Sequence, residues 1–181
     1  MENSHTPHAH GHEQKSFQTL GIVILAVSDT RNLKTDASGA LLEEKLKTGG
    51  HRVLERRIVR DEVPLIQEAV KSWAQNPEVH VILVTGGTGM TPRDVTPEAL
   101  QALFDKDIPG FGELFRMLSF KEIGTATIQS RACAGLMGSK LVFALPGSKG
   151  ACRLAVEEIL LPQLDARTKP CSLISLLEPQ A

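Results

Sequence analysis

The stretch VILVTGGTGMTPRDVTPEA, residues 81–99, combines a short apolar run, a glycine-rich turn and the start of a helix. Its first five residues are apolar or β-branched and extend a run from residue 79, which predicts a buried strand over 79–85. Three glycines follow, and Thr96 and Pro97 then offer a helix cap and a proline for the first helical turn. Strand, turn and helix in this order predict one βα unit of an α/β fold.

The same alternation extends along the rest of the chain. Apolar runs predict further strands over 20–27, over 51–59 near an edge, and from 141 onward. Helices are predicted after an Asp36 cap, from Pro64, over about 111–120, and after PGSKG up to Pro162. Phe111, Phe115 and Leu118 lie at helical spacing and fit core packing better than an interface. The segment 125–138, TATIQSRACAGLMG, fits a helix or a loop. The pattern predicts a single-domain, three-layer αβα sandwich with a mostly parallel, doubly wound sheet.

Composition narrows the function classes. The chain has 181 residues, 20 Lys and Arg against 21 Asp and Glu, and a formal charge of -1. That balance lacks the basic excess of nucleic-acid-binding proteins, and no apolar run is long enough to span a membrane. Three scattered cysteines without a C-x-x-C pair argue against a disulfide framework or a zinc site. We expect a protein of the reducing cytoplasm.

The first 17 residues form a separate, polar segment. They hold four of the six histidines in the chain, at positions 5, 8, 10 and 12. Alternating imidazoles could bind a transition metal, but so polar a segment is more often a disordered tail. We therefore predict a disordered His-rich tail over 1–17 and a folded domain over 18–181.

The glycine turn, with Thr85, Gly86, Gly87, Thr88 and Gly89, stands where a strand ends. Glycines allow backbone N–H groups to turn toward an anion, and phosphate is the obvious candidate. A Walker loop is excluded because its lysine is absent, and a dinucleotide fingerprint is excluded because Pro92 replaces a glycine. A glycine-rich turn is often only a turn, so the signal needs support from neighbouring residues.

Two carboxylates offer that support. Asp94 lies five residues after Gly89, and Asp61 follows the strand over 51–59. If the strands are close, both side chains face one crevice at the carboxyl edge of the sheet, where they could hold Mg²⁺ carried on a polyphosphate. The competing interpretation, that both are turn residues, is about equally consistent with the spacing.

Other polar residues follow the remaining strands. Ser28 and Asp29 come after the first strand, and Pro146, Gly147 and Ser148 precede the last helix, whose start favours an anion. Ser148 could equally serve only as the helix cap. Further candidates near these loops are cationic or acidic, and any of them could instead be a solvated surface residue; they are Arg93, Glu113, Arg131 and Lys149. His51 and His80 are interpreted as structural.

Several separated motifs agree in order with one known family. They are LVTGGTG ending in Asp94, then DVTPEA, GFGE at 110–113 and LPGS at 145–148. With them, residues 20–166 resemble the MogA and MoaB molybdenum cofactor biosynthesis proteins. The segments RACAG, FALPGS and PQLDARTKPC are more similar to the MoaB branch.

The resemblance implies an activity and a site. It implies an adenylyltransferase that converts Mg-ATP and molybdopterin to adenylyl-molybdopterin and pyrophosphate, in the form of a trimer or hexamer. It places catalysis and Mg²⁺ at Asp61 and Asp94, nucleotide at the glycine turn, and pterin at the Ser28 and Ser148 loops. Some MoaB-type members have lost catalysis, which leaves a binding or carrier protein as the alternative. The Asp61 and 93–98 motifs follow the catalytic pattern and favour an active enzyme over that carrier. A metal-dependent phosphohydrolase that uses the paired carboxylates fits less well, because it does not explain the combined GGTG and PGS loops.

Overall fold

The computed structural model describes residues 15–177, so the four histidines of the predicted tail lie outside the described residues. The described chain forms six strands, which are β1 (Gly21–Val27), β2 (Arg52–Val59), β3 (Val81–Thr85), β4 (Lys106–Asp107), β5 (Cys133–Met137) and β6 (Lys140–Leu145). The main helices are α1 (Ala37–Thr48), α2 (Val63–Ala74), α3 (Thr96–Gln101), α4 (Pro109–Ile123) and α5 (Lys149–Ala155). None of the helices within this range is long and apolar enough to cross a membrane.

The strands form one sheet in the order β2-β1-β3-β6-β5-β4. The first four are mutually parallel, whereas β5 runs antiparallel to β6 and β4 antiparallel to β5. The predicted mostly parallel, doubly wound sheet is therefore confirmed, with β2 at an edge as expected. The order also places β1 between β2 and β3, so the loops that carry Asp61 and Asp94 are separated by one strand.

Alternate side chains of β1 show why the sheet needs helices on both faces. Ile22 and Ile24 pack with α1, α4 and α5, whereas Val23 and Leu25 pack with α2 and α3. All seven residues of β1 are buried, as the unbroken apolar run predicts. These two separate cores, one on each face of the sheet, confirm the predicted three-layer sandwich.

The predicted core of α4 is confirmed. Phe111 and Phe115 are 4% and 1% exposed, and Leu118 packs partly buried beside them. The Phe111 ring contacts Phe143 of β6 edge-on, with 5.0 Å between ring centroids. Aromatic contacts of this kind fix α4 on the sheet.

The ambiguous segment 125–138 is neither one helix nor one loop. It begins in a 3₁₀ helix (Gly124–Gln129) and ends in strand β5. Gly135 in β5 packs against the ring of Phe104, which a Cβ at this position would overlap. Gly138, with φ of +57°, and Ser139 form the two-residue turn that leads into β6.

Two predicted helix boundaries are wrong. Thr96 is the first residue of α3 and not its cap; Val95 occupies the cap position and no side chain caps this helix. The last helix does not end at Pro162, because α5 continues through a π-helical segment (Val156–Leu160) into α6 (Leu161–Gln163). The Leu161 N–H bonds to Val156 O, five residues back, and this wider turn precedes the proline that lacks an N–H.

Both histidines of the folded part support the fold at the amino end of β1. His51 Nδ1 accepts the N–H of Leu20 at 3.3 Å, and His80 Nδ1 accepts the N–H of Gly21 at 3.0 Å. Phe17, the last residue of the predicted tail, lies against His51 with 5.3 Å between ring centroids. Burial lowers the pKa of each histidine below its ordinary 6.5, and Lys140 lowers that of His80 further.

These contacts predict a stability that depends on pH. Because the fold disfavours the protonated rings, the stability that the histidines contribute is complete above about pH 6.5 and is lost as the pH falls below it. Replacing both by glutamine, which can accept the same N–H groups without gaining charge, should reduce the difference between urea midpoints measured at about pH 7.5 and 5.5. An undiminished difference in the double variant would contradict the assignment.

Candidate functional site

The glycine turn joins the carboxyl ends of β1, β3 and β6. Gly86 and Gly87 have φ angles of +99° and +61°, which side-chain-bearing residues rarely adopt. The Gly86 N–H donates to Leu145 O at 3.0 Å. A Cβ on Gly86 would overlap the carbonyl oxygen of Val27. Three strands therefore meet at a main-chain contact that only glycine can occupy without displacing backbone.

The hydrogen bond of Gly86 corrects part of the anion-binding prediction. Its N–H is used inside the sheet and does not face an anion. The candidate donors to a phosphate within the turn are therefore the N–H groups of Gly87, Thr88 and Gly89.

Thr85 connects the glycine turn to the loop after β6. Its hydroxyl donates to the carbonyl oxygen of Pro146 at 3.1 Å and contacts Sγ of Cys152 at 3.2 Å. A Cβ on Gly147 would lie 3.2 Å from the Cα of Gly86, so these two loops pack backbone against backbone. Cys152 lies buried beneath them, and burial raises the pKa of its thiol to about 11.

Ser28 and Ser148 shape the two loops that flank the turn. Ser28 Oγ accepts the N–H groups of Thr30 and Arg31 at 3.3 and 3.2 Å. Ser148 Oγ accepts the N–H of Ala151 at 3.2 Å and caps α5. The capping interpretation of Ser148 is thus confirmed, although a hydroxyl that accepts two N–H groups or one can still donate its own hydrogen.

These loops border a depression at the carboxyl edge of the sheet. A cavity of about 380 Å³ is lined by residues of three predicted segments, including Ser28, Thr85, Gly86, Gly147 and Ser148. Ser28 and Arg31 also line a neighbouring cleft of about 810 Å³, to which Asp29, Lys34 and Arg60 contribute. The predicted glycine and serine loops therefore share one surface, which continues into a cleft with cationic residues.

Asp61 lies against the glycine turn. A Cβ on Gly87 would be 2.8 Å from Asp61 Oδ1, and the Asp61 N–H donates to Asp29 Oδ1 at 3.3 Å. Burial, and next the carboxylate of Asp29, raise the pKa of Asp61, with a smaller contribution from Asp94. The fold thus holds several negative charges close together, an arrangement that disfavours the ionised form of Asp61 and favours a cation beside it.

Asp94 is held by its own loop. Its Oδ2 accepts the N–H of Thr91 at 2.9 Å and the Thr91 hydroxyl at 2.5 Å. These hydrogen bonds lower the pKa of Asp94 and keep it ionised at neutral pH. The turn interpretation and the functional one are therefore compatible for Asp94, because the same bonds that form the turn fix the carboxylate.

Arg93 and Asp29 join two of the site loops. The guanidinium donates to both carboxylate oxygens of Asp29, with distances of 2.8 to 3.1 Å. Both side chains are more than a third exposed, so the pair adds little stability. Its effect is geometric, because it holds the loop of Asp94 against the loop after β1.

The structure separates the three remaining candidates. Arg131 donates to backbone carbonyls of the glycine loop and does not face the depression beside Ser28. Glu113 lines a different cavity of about 510 Å³ between α3, α4 and β5, to which Arg131 also contributes. Lys149 is exposed at the first turn of α5.

Sequence reasoning gave Thr96 no binding role of its own, although the structure places it beside Asp61. Its Oγ1 is buried and has no hydrogen-bond partner within residues 15–177. It contacts the position that a Cβ on Gly87 would take, next to Asp61 Oδ1. A threonine directly after the Asp94 motif was the available signal, but it was interpreted as a cap.

The oxygen donors of this site suit Mg²⁺ only in part. Asp61 and Asp94 provide carboxylates, the donor type that Mg²⁺ prefers, and Thr96 adds a nearby hydroxyl. No group of three or more His, Cys, Asp or Glu side chains in the described chain could hold a metal ion. Asp61 and Asp94 could thus supply two carboxylate ligands, and a cation held by them would need further oxygen ligands from a bound molecule or water.

Comparison with known proteins gives consistent results. A family model described as a probable molybdopterin binding domain matches residues 23–166. A relative in Escherichia coli strain K12, named molybdenum cofactor biosynthesis protein B, is 51% identical over 156 residues, covering 86% of this chain and 92% of the relative.

Solved structures agree with the sequence matches. A crystal structure of a molybdenum cofactor biosynthesis protein B is 49% identical, with a TM-score of 0.80, and the match covers 83% of this chain and 94% of that one. A structure titled as MogA is 30% identical with a TM-score of 0.70, covering 80% and 99%. The chain therefore belongs to the MogA/MoaB family of molybdenum cofactor biosynthesis proteins and lies on its MoaB side.

Proposed function

We propose that this protein is a molybdopterin adenylyltransferase, which uses Mg-ATP and molybdopterin to form adenylyl-molybdopterin and pyrophosphate. One observation carries the proposal: the Asp61 carboxylate and the Thr96 hydroxyl both lie against Gly87 of the glycine turn. The turn that we propose for phosphate and the carboxylate that we propose for the cation are thus in contact. The similarity to proteins named molybdenum cofactor biosynthesis protein B supports the pathway.

In this proposal backbone N–H groups would bind the ATP phosphates, and side chains would bind the pterin and Mg²⁺. The N–H groups of Gly87, Thr88 and Gly89 would receive phosphate oxygens, since that of Gly86 is engaged within the sheet. Ser28 and Ser148 have hydroxyls on the same depression, where the pterin and its phosphate would lie. Asp61 and Asp94 would hold Mg²⁺, which when bound neutralises charge on the transferring and leaving phosphates.

The reaction asks little covalent work of the protein. The terminal phosphate of molybdopterin forms a bond to the α-phosphorus of ATP while the bond from that phosphorus to the pyrophosphate oxygen breaks. No general base is needed, because the attacking phosphate is already ionised at neutral pH. This agrees with the positions of His51 and His80 at the opposite end of β1. Catalysis then depends on in-line placement and on charge stabilisation.

The first test is turnover by the Asp94→Ala variant. We expect loss of about two orders of magnitude or more in formation of adenylyl-molybdopterin, because a fixed carboxylate beside the glycine turn is removed. Asp165→Ala, near His51 at the other end of the sheet, is the control and should retain normal turnover. A normal rate for Asp94→Ala would remove Asp94 from the mechanism. Wild-type protein that binds molybdopterin without forming product would instead be a carrier.

Asp61 gives a test that separates function from structure. The fold raises the pKa of Asp61, so its ionisation costs stability once the pH rises through the folded pKa, and this cost is present at pH 7. Asp61→Asn should therefore unfold at an equal or higher temperature than the wild type while turnover falls at least about tenfold. A clear fall in unfolding temperature would indicate a structural role for Asp61.

We propose further that the protein is a homo-oligomer, a trimer or a hexamer. Exposed apolar side chains recur every third residue along α4 and continue into the following 3₁₀ helix; they are Leu114, Met117, Phe120, Ile123 and Ile128. These side chains are 38 to 82% exposed in the single chain. Such a continuous apolar band supports contact with a second copy, because exposed patches of this kind mark interaction surfaces.

The band predicts how the assembly can be broken. Phe120→Lys, at a position 55% exposed, should shift the protein toward the monomer in sedimentation velocity because it places a charge in the contact. Leu33→Lys is a matched control, since Leu33 is 56% exposed but lies outside the band. Unchanged sedimentation of Phe120→Lys would show that α4 is not the contact.

A further inference from the structure

Arg131 connects the start of β5 to the loop that carries Asp94. Its Nε donates to the carbonyl oxygen of Gly89 at 2.8 Å, and its Nη2 donates to that of Asp94 at 2.6 Å. Its Nη1 pairs with the carboxylate of Glu98 in α3. Each nitrogen of the guanidinium therefore has an acceptor in the segment 89–98.

The two carbonyl contacts close the loop at both ends. Residues 89 and 94 are the two ends of the loop that includes Thr91. Thr91 in turn donates two hydrogen bonds to the Asp94 carboxylate. A guanidinium is a planar fork that can donate to several acceptors at fixed angles, whereas an ammonium group is a point charge. Lysine at position 131 could therefore not make the same set of contacts.

Helix α4 contacts the backbone on both sides of Arg131. Arg116 Nη1 lies 3.5 Å from the carbonyl oxygen of Ser130 and 3.4 Å from that of Ala132. Gly112 lets this strand approach closely, since a Cβ there would be 2.5 Å from Ala132 O. The residues on either side of Arg131 are thus anchored to a long helix that packs on the sheet.

We propose that Arg131 is a positioning residue for Asp94. It fixes the backbone on both sides of the Thr91 turn and so fixes the carboxylate that the turn holds. All three guanidinium nitrogens donate to groups of the protein itself. The guanidinium therefore lies on the far side of the loop and does not contact substrate. The catalytic part of this inference rests on the proposed adenylyltransferase function.

The test is a double-variant cycle on turnover. Arg131→Gln should lower turnover about 10- to 100-fold, but Arg131→Gln combined with Asp94→Asn should be no slower than Asp94→Asn alone within about twofold. Arg131→Lys should recover little of the loss. Arg52→Gln, which removes an exposed arginine paired with Glu78 at the other end of the sheet, is the control. Additive losses in the double variant would overturn the proposal.

A second measurement needs no activity. Backbone amide hydrogen exchange over residues 86–98 should accelerate at least about tenfold in Arg131→Gln or Arg131→Lys and stay unchanged in Arg52→Gln. If either Arg131 variant exchanges at the wild-type rate, the arginine does not fix the loop. If wild-type protein shows no turnover, the proposed function fails, and hydrogen exchange alone then decides whether Arg131 holds the loop.

Discussion

The whole site depends on the close approach of main chains at Gly86. The ends of β1, β3 and β6 meet there because the residue has no side chain and adopts a positive φ. Gly147 packs on the same point from the loop after β6. Because the buried sheet beneath is closely packed and rigid, this contact fixes the positions at which three separate loops leave the sheet. Polar residues from distant parts of the sequence are thereby brought to one depression.

The three carboxylates near Gly86 differ in how well their negative charges are stabilised. Arg93 pairs with Asp29 at the surface, and Thr91 satisfies one oxygen of Asp94. The carboxylate of Asp61 has no such side-chain partner: attraction to Arg93 and the backbone of Asp29 lower its pKa less than burial and the Asp29 carboxylate raise it. Asp61 thus lies in an environment that disfavours its charge, beside Asp29 and Asp94, whose charges are stabilised. Such an arrangement is typical of a site that binds a cation or a charged substrate and not of one that stabilises the fold.

Periodicity predicted most of the architecture because the central strands are uniformly apolar and their helices have single apolar stripes. It failed at β5, whose Gly135 is required by the Phe104 ring, a contact between residues far apart in sequence. The two acids were found because each follows a strand. The role of Arg131 could not be predicted, since two of its three acceptors are backbone carbonyls about 40 positions away, which carry no sequence signal. Thr96 was assigned to a cap because local pattern cannot reveal the approach of Gly87.

The thiol beneath the glycine turn limits the chemistry that can occur there. With its pKa near 11, Cys152 is a thiolate in only about one molecule in ten thousand at neutral pH. It is therefore a poor nucleophile, although its sulfur lies only 3.2 Å from the Thr85 hydroxyl. In the proposed reaction the adenylyl group would accordingly pass directly from ATP to molybdopterin, with no adduct on the thiol.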